Sequence, residues 1–297
     1  MVVGVVGTSA PAQLAGAGER GHGVPPESAI GYWNAQRVRA AEPRDVTLGD
    51  PVPHAPDNPN KPDKGDKPGN GGGGGGEGEE EPDPVDSTVT GAPWTDSSDP
   101  VVDTVGRVLF TMDGRDWVCS ASVVQSPDNS NAVLLTAGHC LWDDQSGYAD
   151  RFVFVPDYES VRNFGCAPGE CYEATALVAA VGWTDPGDDY LHDFGFAAVD
   201  TTLDDGANPP AIVERSVADI TEATAFGYPA EKKYKGNQLI HCAGPVQAGP
   251  AQYSGNVALA CDMNGGSSGG PWYEDFGGTR GVVSLNSFGL RSLNGYM

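Results

Sequence analysis

A serine flanked by glycines and a distant histidine are the residues of this chain best suited to chemistry. Residues 265–271 read Gly-Gly-Ser-Ser-Gly-Gly-Pro and contain Ser268, whereas residues 135–140 read Leu-Thr-Ala-Gly-His-Cys and contain His139. Glycines on both sides allow a tight turn that exposes a hydroxyl together with main-chain N–H groups. Serine is a weak nucleophile until an adjacent base takes its proton. The two motifs therefore predict nucleophilic acyl transfer, with Ser268 as nucleophile and His139 as base.

The segments around the two motifs predict short β-strands. Residues 104–112 and 117–124 are rich in apolar and β-branched types and flank Asp113-Gly114, the pattern of a hairpin with a type I′ turn. Further strands are predicted at 131–136, 151–155, 194–199, 223–226, 235–242, 257–261 and 281–285. No long stretch has helical periodicity. The pattern indicates an all-β sandwich or barrel.

Composition divides the chain into four parts. Residues 51–98 are dominated by Pro, Gly and charged types and are predicted to be a disordered acidic linker, because they cannot bury enough apolar surface to offset their ordering entropy. Residues 1–28 are similar to the end of a signal peptide followed by a pro region. Residues 29–50 have too few apolar side chains to fold alone and are interpreted as a disordered stretch or a propeptide segment. The foldable domain spans residues 99–297.

The charge of the chain restricts its partners. The formal net charge is −24. A nucleic-acid partner is not expected, because phosphate binding needs a basic face. The same charge argues against docking on an anionic membrane, and membrane insertion is not expected because no segment approaches the length of a transmembrane helix. The acidic balance is interpreted as a contribution to solubility.

All six cysteines lie in the foldable part of the chain. An even number of cysteines confined to one domain predicts disulfides and an oxidising compartment. Sequence proximity favours the pairs Cys119–Cys140, Cys166–Cys171 and Cys242–Cys261. Zinc binding is the rival interpretation, but no C-x₂-C pair occurs. Neither a metal nor a cofactor is therefore expected.

The histidine and serine motifs resemble those of trypsin-like (chymotrypsin-fold) serine peptidases. Residues 284–289, which read Ser-Leu-Asn-Ser-Phe-Gly, extend the resemblance to secreted bacterial members of the glutamyl-endopeptidase-like type. The resemblance covers most of residues 99–297, and residues 32–43 resemble the propeptide of the same proteins. It implies two antiparallel six-stranded β-barrels with the active site between them. It also implies that a disulfide between Cys119 and Cys140 holds the histidine loop.

The resemblance assigns roles to the remaining members of a catalytic triad. It places His139 and an acid on the first barrel and Ser268 on the second. Asp193 precedes an apolar strand, as the aspartate of the family does, and would accept the Nδ1–H of His139. Asp188 and Asp189 are alternatives, but their Gly/Asp-rich surroundings indicate a solvated turn.

The oxyanion hole and the substrate pocket are also implied. The main-chain N–H groups of Gly266 and Ser268 would stabilise the oxyanion. Asp262 and Ser284 are predicted to bind substrate, since an acid six residues before the nucleophile selects Lys or Arg in the digestive enzymes. Val283 stands where glutamate-preferring relatives carry a histidine. The preferred substrate side chain therefore stays open.

Two departures from the family bear on activation and completeness. Ser267 replaces the aspartate that pairs with the new N-terminus in the digestive enzymes, so activation is not expected to use that ion pair. Only 29 residues follow Ser268, and the second barrel is expected to be truncated at its C-terminal end.

The sequence thus predicts a secreted, extracellular serine endopeptidase. It is expected to be a monomer that hydrolyses polypeptide substrates through an acyl-enzyme. The alternative is a catalytically inactive protease-like module that binds an extracellular partner. An α/β-hydrolase-type esterase is disfavoured, because no strand–turn–helix pattern surrounds Ser268.

Overall fold

The structure is a computed structural model that describes residues 28–48, 90–126, 132–161, 165–167, 169–185, 189–199, 208–249, 253 and 255–290. The strands are β1 (Glu42–Pro43), β2 (Thr47–Leu48), β3 (Ala92–Pro93), β4 (Val105–Met112), β5 (Arg115–Val124), β6 (Ala132–Thr136), β7 (Trp142–Asp143), β8 (Gly147–Tyr148), β9 (Asp150–Pro156), β10 (Tyr172–Glu173), β11 (Ala176–Ala179), β12 (Gly195–Val199), β13 (Ala211–Ile212), β14 (Glu222–Gly227), β15 (Ile240–Ala248), β16 (Val257–Leu259), β17 (Pro271–Asp275), β18 (Arg280–Leu285) and β19 (Gly289–Leu290). The α-helices are α1 (Ala29–Tyr32), α2 (Ala35–Ala40), α3 (Val101–Thr104), α4 (Tyr158–Val161) and α5 (Val181–Thr184), and short 3₁₀ turns lie at Gly138–Cys140, Tyr190–His192 and Val217–Asp219.

The first sheet is antiparallel in the order β10-β9-β4-β5-β6-β12-β11, and β1 joins it in parallel beside β5. The hairpin between β4 and β5 turns at Asp113 (φ 52°) and Gly114 (φ 70°). Positive φ at both positions is what a type I′ turn requires, and its twist matches that of the strands. All eight residues of β4 are buried, so this strand lies at the centre of the first core.

The second sheet has the order β13-β18-β17-β14-β15-β16, with β3 paired to the start of β15. Its separate core includes Ile240, Leu259 and Trp272. The two curled sheets confirm the all-β, double-barrel fold class expected from the sequence. The predicted truncation of the second barrel concerns strands after Leu290, which lie outside the described residues.

Several strands differ from the predictions, among them β15 and β17 of the second sheet. The strand predicted at 235–242 is β15, which begins at Ile240 because the preceding residues form a loop in which Gly236 (φ 66°) donates its N–H to the Pro229 carbonyl at 2.8 Å. The strand β17 was missed. It starts at Pro271, directly after the glycine-rich turn, and a proline can open a strand because its missing N–H is not needed there.

Of the two interpretations of residues 29–50, the disordered stretch is wrong for residues 28–48, and the propeptide segment stays a prediction. Helices α1 and α2 pack on the first sheet through Trp33, which is fully buried and donates its indole N–H to the Arg151 carbonyl at 2.8 Å. Asn34 caps α2 with its side chain. Residues 90–98 of the predicted linker are also ordered, since they include β3. The rest of the predicted signal peptide and linker lies outside the described residues.

The six cysteines form three disulfides, in the pairs that sequence proximity favours. Their S–S bonds join Cys119 to Cys140, Cys166 to Cys171 and Cys242 to Cys261. Among the described helices, none has the length and apolar character needed to cross a bilayer.

Replacing Trp33 tests whether the N-terminal segment folds with the domain. We expect Trp33→Ala to lower the free energy of unfolding by about 3–5 kcal/mol, because it removes a fully buried indole from the first core. Chemical denaturation of the full chain measures this. The control Gln36→Ala, at an exposed position of α2, should leave the free energy of unfolding within about 0.5 kcal/mol. Equal free energies of unfolding for the two variants would contradict the packing of residues 28–48 on the first sheet.

Candidate active site

The strand pairing of the first sheet brings His139 and Asp193 together. His139 lies in the 3₁₀ turn that follows β6, and Asp193 lies two residues before β12. The two strands are antiparallel neighbours in which Thr136 lies opposite Gly195. Two residues far apart in the chain therefore meet at one end of the same strand pair.

His139 and Asp193 form a buried ion-pair geometry. The Asp193 carboxylate accepts the His139 main-chain N–H at 2.7 Å and faces the ring Nδ1 at 2.8 Å. His139 is 2% exposed and Asp193 is 1% exposed. Because an ionised carboxylate only accepts hydrogen bonds, Nδ1 carries the proton and Nε2 is left to act as a base.

The surroundings of Asp193 favour its ionised form. Burial raises the pKa of the Asp193 carboxyl, but the facing His139 and the hydrogen bonds from His139 and Ser287 outweigh burial and hold this pKa below its ordinary value. The carboxylate therefore stays charged near neutral pH and fixes the orientation of the imidazole.

Ser287 is a site residue that the sequence reasoning missed. Its hydroxyl donates a short hydrogen bond to Asp193 Oδ2. Ser284, which is predicted to bind substrate, lies within β18, where its hydroxyl faces the Leu285 carbonyl at 3.5 Å. Its role in substrate binding stays a prediction. Asn286 precedes Ser287, and Val283 precedes Ser284. Neither serine therefore follows a histidine.

The turn that carries Ser268 is held against the first sheet. Ser120 of β5 donates its main-chain N–H to the Ser268 carbonyl at 2.7 Å and its hydroxyl to the Gly266 carbonyl at 2.8 Å. Gly269 has φ 83°, and a Cβ there would lie 2.1 Å from Thr136 Oγ1. Only glycine fits this approach of the turn to β6.

Asn286 fixes the same turn from the second sheet, a role the sequence did not reveal. Its buried amide donates to the carbonyls of Phe226 (2.8 Å) and Ser267 (3.0 Å), and its oxygen accepts from the indole of Trp272 (2.9 Å). Because Asn286 satisfies three buried polar groups at once, it fixes the position of the serine turn relative to the second sheet.

Two main-chain donors near Ser268 are free. In the part of the chain that the structure describes, the N–H groups of Gly266 and Ser268 donate no hydrogen bond. Gly266 has φ 96°, a conformation that other residue types rarely adopt. Free, fixed N–H groups beside a nucleophile can stabilise a negative oxygen.

The hydroxyl of Ser268 is bonded to a segment that precedes the domain. Its Oγ donates to the Arg44 carbonyl at 3.4 Å. His139 Nε2 is buried and has no hydrogen-bond partner among the described atoms. Ser268 and His139 are therefore not bonded to each other in this state.

Asp262 has a paired carboxylate. It accepts the Gly91 N–H at 2.8 Å and short hydrogen bonds from the Lys233 ammonium and the Tyr234 hydroxyl. Burial raises the pKa of Asp262, but the hydrogen bonds from Lys233, Tyr234 and Gly91 lower it overall. Because Lys233 already neutralises this charge, the structure gives no support to the hypothesis that Asp262 selects a basic substrate side chain.

The remaining candidates are the alternative acids Asp188 and Asp189 and the cysteine–histidine cluster. Asp189 is an exposed residue whose carboxylate faces His192 Nδ1 at 2.7 Å, and Asp188 lies outside the described residues. The ligand atoms of Cys119, His139 and Cys140 lie within 4.8 Å of one another. The two sulfurs are bonded to each other as a disulfide, so they offer no thiolate to a metal ion.

Comparison with solved structures finds similar proteases. The protease Anisep from Arthrobacter nicotinovorans is 31% identical with a TM-score of 0.54, over 64% of this chain and 86% of that chain. The thermostable serine protease AL20 from an extremophilic microorganism is 27% identical with a TM-score of 0.52, over 67% of this chain and 97% of that chain. No protein-family model matches the chain, and no curated protein does.

Removing the Ser287 hydroxyl tests its support of the Asp193 charge. The lowered pKa of Asp193 contributes stability above the carboxyl pKa of the unfolded chain, about 3.9, and this contribution is lost as the pH falls through the folded value. Ser287→Ala raises the folded pKa. We expect it to lower the free energy of unfolding by about 1–2 kcal/mol at pH 7 and by less at pH 2.5.

Ser284→Ala is the matched control for this measurement, because Ser284 is also buried and its hydroxyl faces the Leu285 carbonyl. Its effect on denaturant unfolding should be the same at both pH values. A pH-independent loss for Ser287→Ala would contradict the assigned contact.

Proposed function

This chain belongs to the trypsin-like, chymotrypsin-fold family of serine peptidases, and from that premise we propose that it is a serine endopeptidase with Ser268, His139 and Asp193 as its catalytic triad. The observation that supports the proposal most directly is the buried His139–Asp193 pair, 2.8 Å between Nδ1 and Oδ2. It lies beside a serine turn whose neighbouring N–H groups are free. A structural histidine needs no such combination.

The proposed reaction begins when the Ser268 hydroxyl turns from Arg44 to His139 Nε2. The oxygen attacks the carbonyl carbon of a substrate peptide bond as Nε2 takes its proton. Asp193 stays ionised and stabilises the imidazolium, because its carboxylate already accepts the Nδ1–H. The N–H groups of Gly266 and Ser268 receive the oxyanion.

The second half of the reaction returns the proton. His139 gives it to the leaving amine, the C–N bond breaks, and an acyl-enzyme remains on Ser268. Water, deprotonated by Nε2, then attacks the ester carbonyl and releases the acid product. No step requires a metal or a cofactor.

Secretion and substrate class complete the proposal. Three disulfides suit an oxidising compartment, and we infer an extracellular protein that acts on polypeptides. The alternative of an inactive binding module is not favoured, because all three triad candidates are present and two of them are already paired. The glutamyl-endopeptidase-like type stays a prediction.

Covalent labelling of the full chain tests the nucleophile. We expect a fluorophosphonate probe, left overnight to reach an end point, to modify Ser268, because the activated hydroxyl attacks phosphorus as it attacks a carbonyl. Peptide mass spectrometry locates the label. Ser268→Ala should abolish labelling, whereas Ser267→Ala, a change in the neighbouring serine whose hydroxyl bonds the Asn264 carbonyl, should retain it. Labelling that survives Ser268→Ala would refute the assignment.

Two aspartate–histidine pairs allow a matched test of the acid. Asp193→Asn should lower kcat for a peptide substrate by about 10³–10⁴, as loss of the orienting carboxylate does in other triads. Asp189→Asn alters an exposed pair of similar geometry, 2.7 Å from His192, and should leave kcat unchanged. Steady-state kinetics measures both. Comparable losses of kcat in Asp193→Asn and Asp189→Asn would contradict the assignment of the His139–Asp193 pair as catalytic.

A further inference from the structure

Residues 42–48, here called the strap, cross a cleft whose walls are β5 of the first sheet and residues 286–290, which follow β18 of the second sheet. At one end β1 pairs with β5, and at the other β2 pairs with β19. Between these pairings the Arg44 N–H donates to the Val118 carbonyl at 3.0 Å, and the Gly289 N–H donates to the Val46 carbonyl at 3.1 Å. The strap is thus hydrogen-bonded to both walls of the cleft.

Arg44 places the strap on the candidate catalytic residues. Its carbonyl accepts from the Ser268 hydroxyl at 3.4 Å, and its Nε donates to the His139 carbonyl at 2.7 Å. Its Nη2 forms an ion pair with Asp143 Oδ2 at 2.8 Å. One side chain therefore ties the strap to the histidine loop while its own main chain engages the nucleophile.

The strap closes the site to substrate. Ser268 is fully buried and His139 is 2% exposed, so no external carbonyl can approach the hydroxyl while the strap is in place. The hydroxyl is bonded to Arg44, and His139 Nε2 has no partner among the described atoms. The strap therefore both covers Ser268 and keeps its hydroxyl from bonding His139.

The direction of the strap distinguishes it from a peptide that could be cut. Both of its pairings are parallel, whereas a peptide that ran the other way would be antiparallel to both walls, which is the more stable ladder. The Arg44 carbonyl oxygen points at the Ser268 hydroxyl. Attack requires that oxygen to lie on the N–H groups of Gly266 and Ser268, which receive no acceptor from the residues described.

We propose that the strap is a built-in inhibitor that resists hydrolysis because it runs through the cleft in the reverse of the cleavable direction. This inference rests on the proposed endopeptidase activity. It explains how a segment can contact an intact nucleophile without becoming its substrate. It also assigns Arg44 the role of the latch that holds the strap.

Residues upstream of the strap also contact the domain, so cleavage of the chain after the strap does not by itself release the strap. Trp33 is fully buried, and its carbonyl accepts the Cys166 N–H at 2.9 Å. Tyr32 donates its hydroxyl to Asp116 at 2.7 Å. A cut after Leu48 would leave these contacts in place, so the cleft opens only when the anchored segment dissociates.

The test compares the rate of fluorophosphonate labelling in the full chain and its variants, with the overnight end point as reference. We expect Arg44→Ala to label about tenfold faster or more, because it loses charge-assisted hydrogen bonds to His139 and Asp143. Asp143→Asn should shift the rate in the same direction. Arg39→Ala changes an exposed arginine of α2, outside the strap, and should label at the wild-type rate.

A second readout is independent of catalysis. Hydrogen exchange should show the Gly289 amide protected in the wild type and in Arg39→Ala, and exposed in Arg44→Ala. Equal labelling rates in all variants, an unprotected Gly289 amide in the wild type, or self-cleavage within residues 42–48 would each overturn the inference. If no variant labels at any time but protection is lost only in Arg44→Ala, the strap contact stands and the proposed catalytic function fails.

Discussion

The carboxylate of Asp193 lies in the protein interior, where a charge without partners costs several kcal/mol (about 3–5 when one partner of a buried pair is removed). Its oxygens accept the main-chain N–H and the ring Nδ1–H of His139 from the first sheet. The third donor, Ser287, follows β18 of the second sheet. This charge is therefore satisfied only when both sheets are folded and joined, which couples the assembly of the cleft to the stability of the whole domain.

The serine turn is positioned by the same kind of cross-connection. Ser120 reaches it from the first sheet, and its hydroxyl also accepts the Tyr228 N–H at 2.9 Å from the second. Asn286 binds it from the other side. Because both sheets hold Ser268, its position relative to His139 of the first sheet is fixed, as the proposed triad requires.

Much of the fold and of the site could be predicted from the sequence, because the strongest signals were local. The Asp113-Gly114 turn, the strand that ends just before the His139 turn and the glycines around Ser268 each define their conformation within a few residues. The contact of Ser287 with Asp193 could not be predicted in this way. Ser287 follows β18 and is 94 residues from Asp193 in the chain, so only the assembly of the two sheets brings them together.

The N-terminal segment was misjudged for a different physical reason. Its few apolar residues cannot form a core of their own, and this led to the prediction of disorder. Trp33 and Val38 instead bury themselves in a core that residues far along the chain supply. The composition of a segment gives the apolar surface of that segment alone. It does not show whether another part of the chain provides a core on which the segment can pack.

The burial of Asp193 also separates the chemistry of the site from the ionic strength of its surroundings. Mobile ions screen charges on the surface over about 8–10 Å at ordinary salt concentrations, but they hardly reach a pair at 2% and 0% side-chain exposure. The exposed Asp189–His192 pair has no such protection. In a protein of net charge −24, salt therefore changes how charged molecules approach the surface, while the field that orients His139 stays the same.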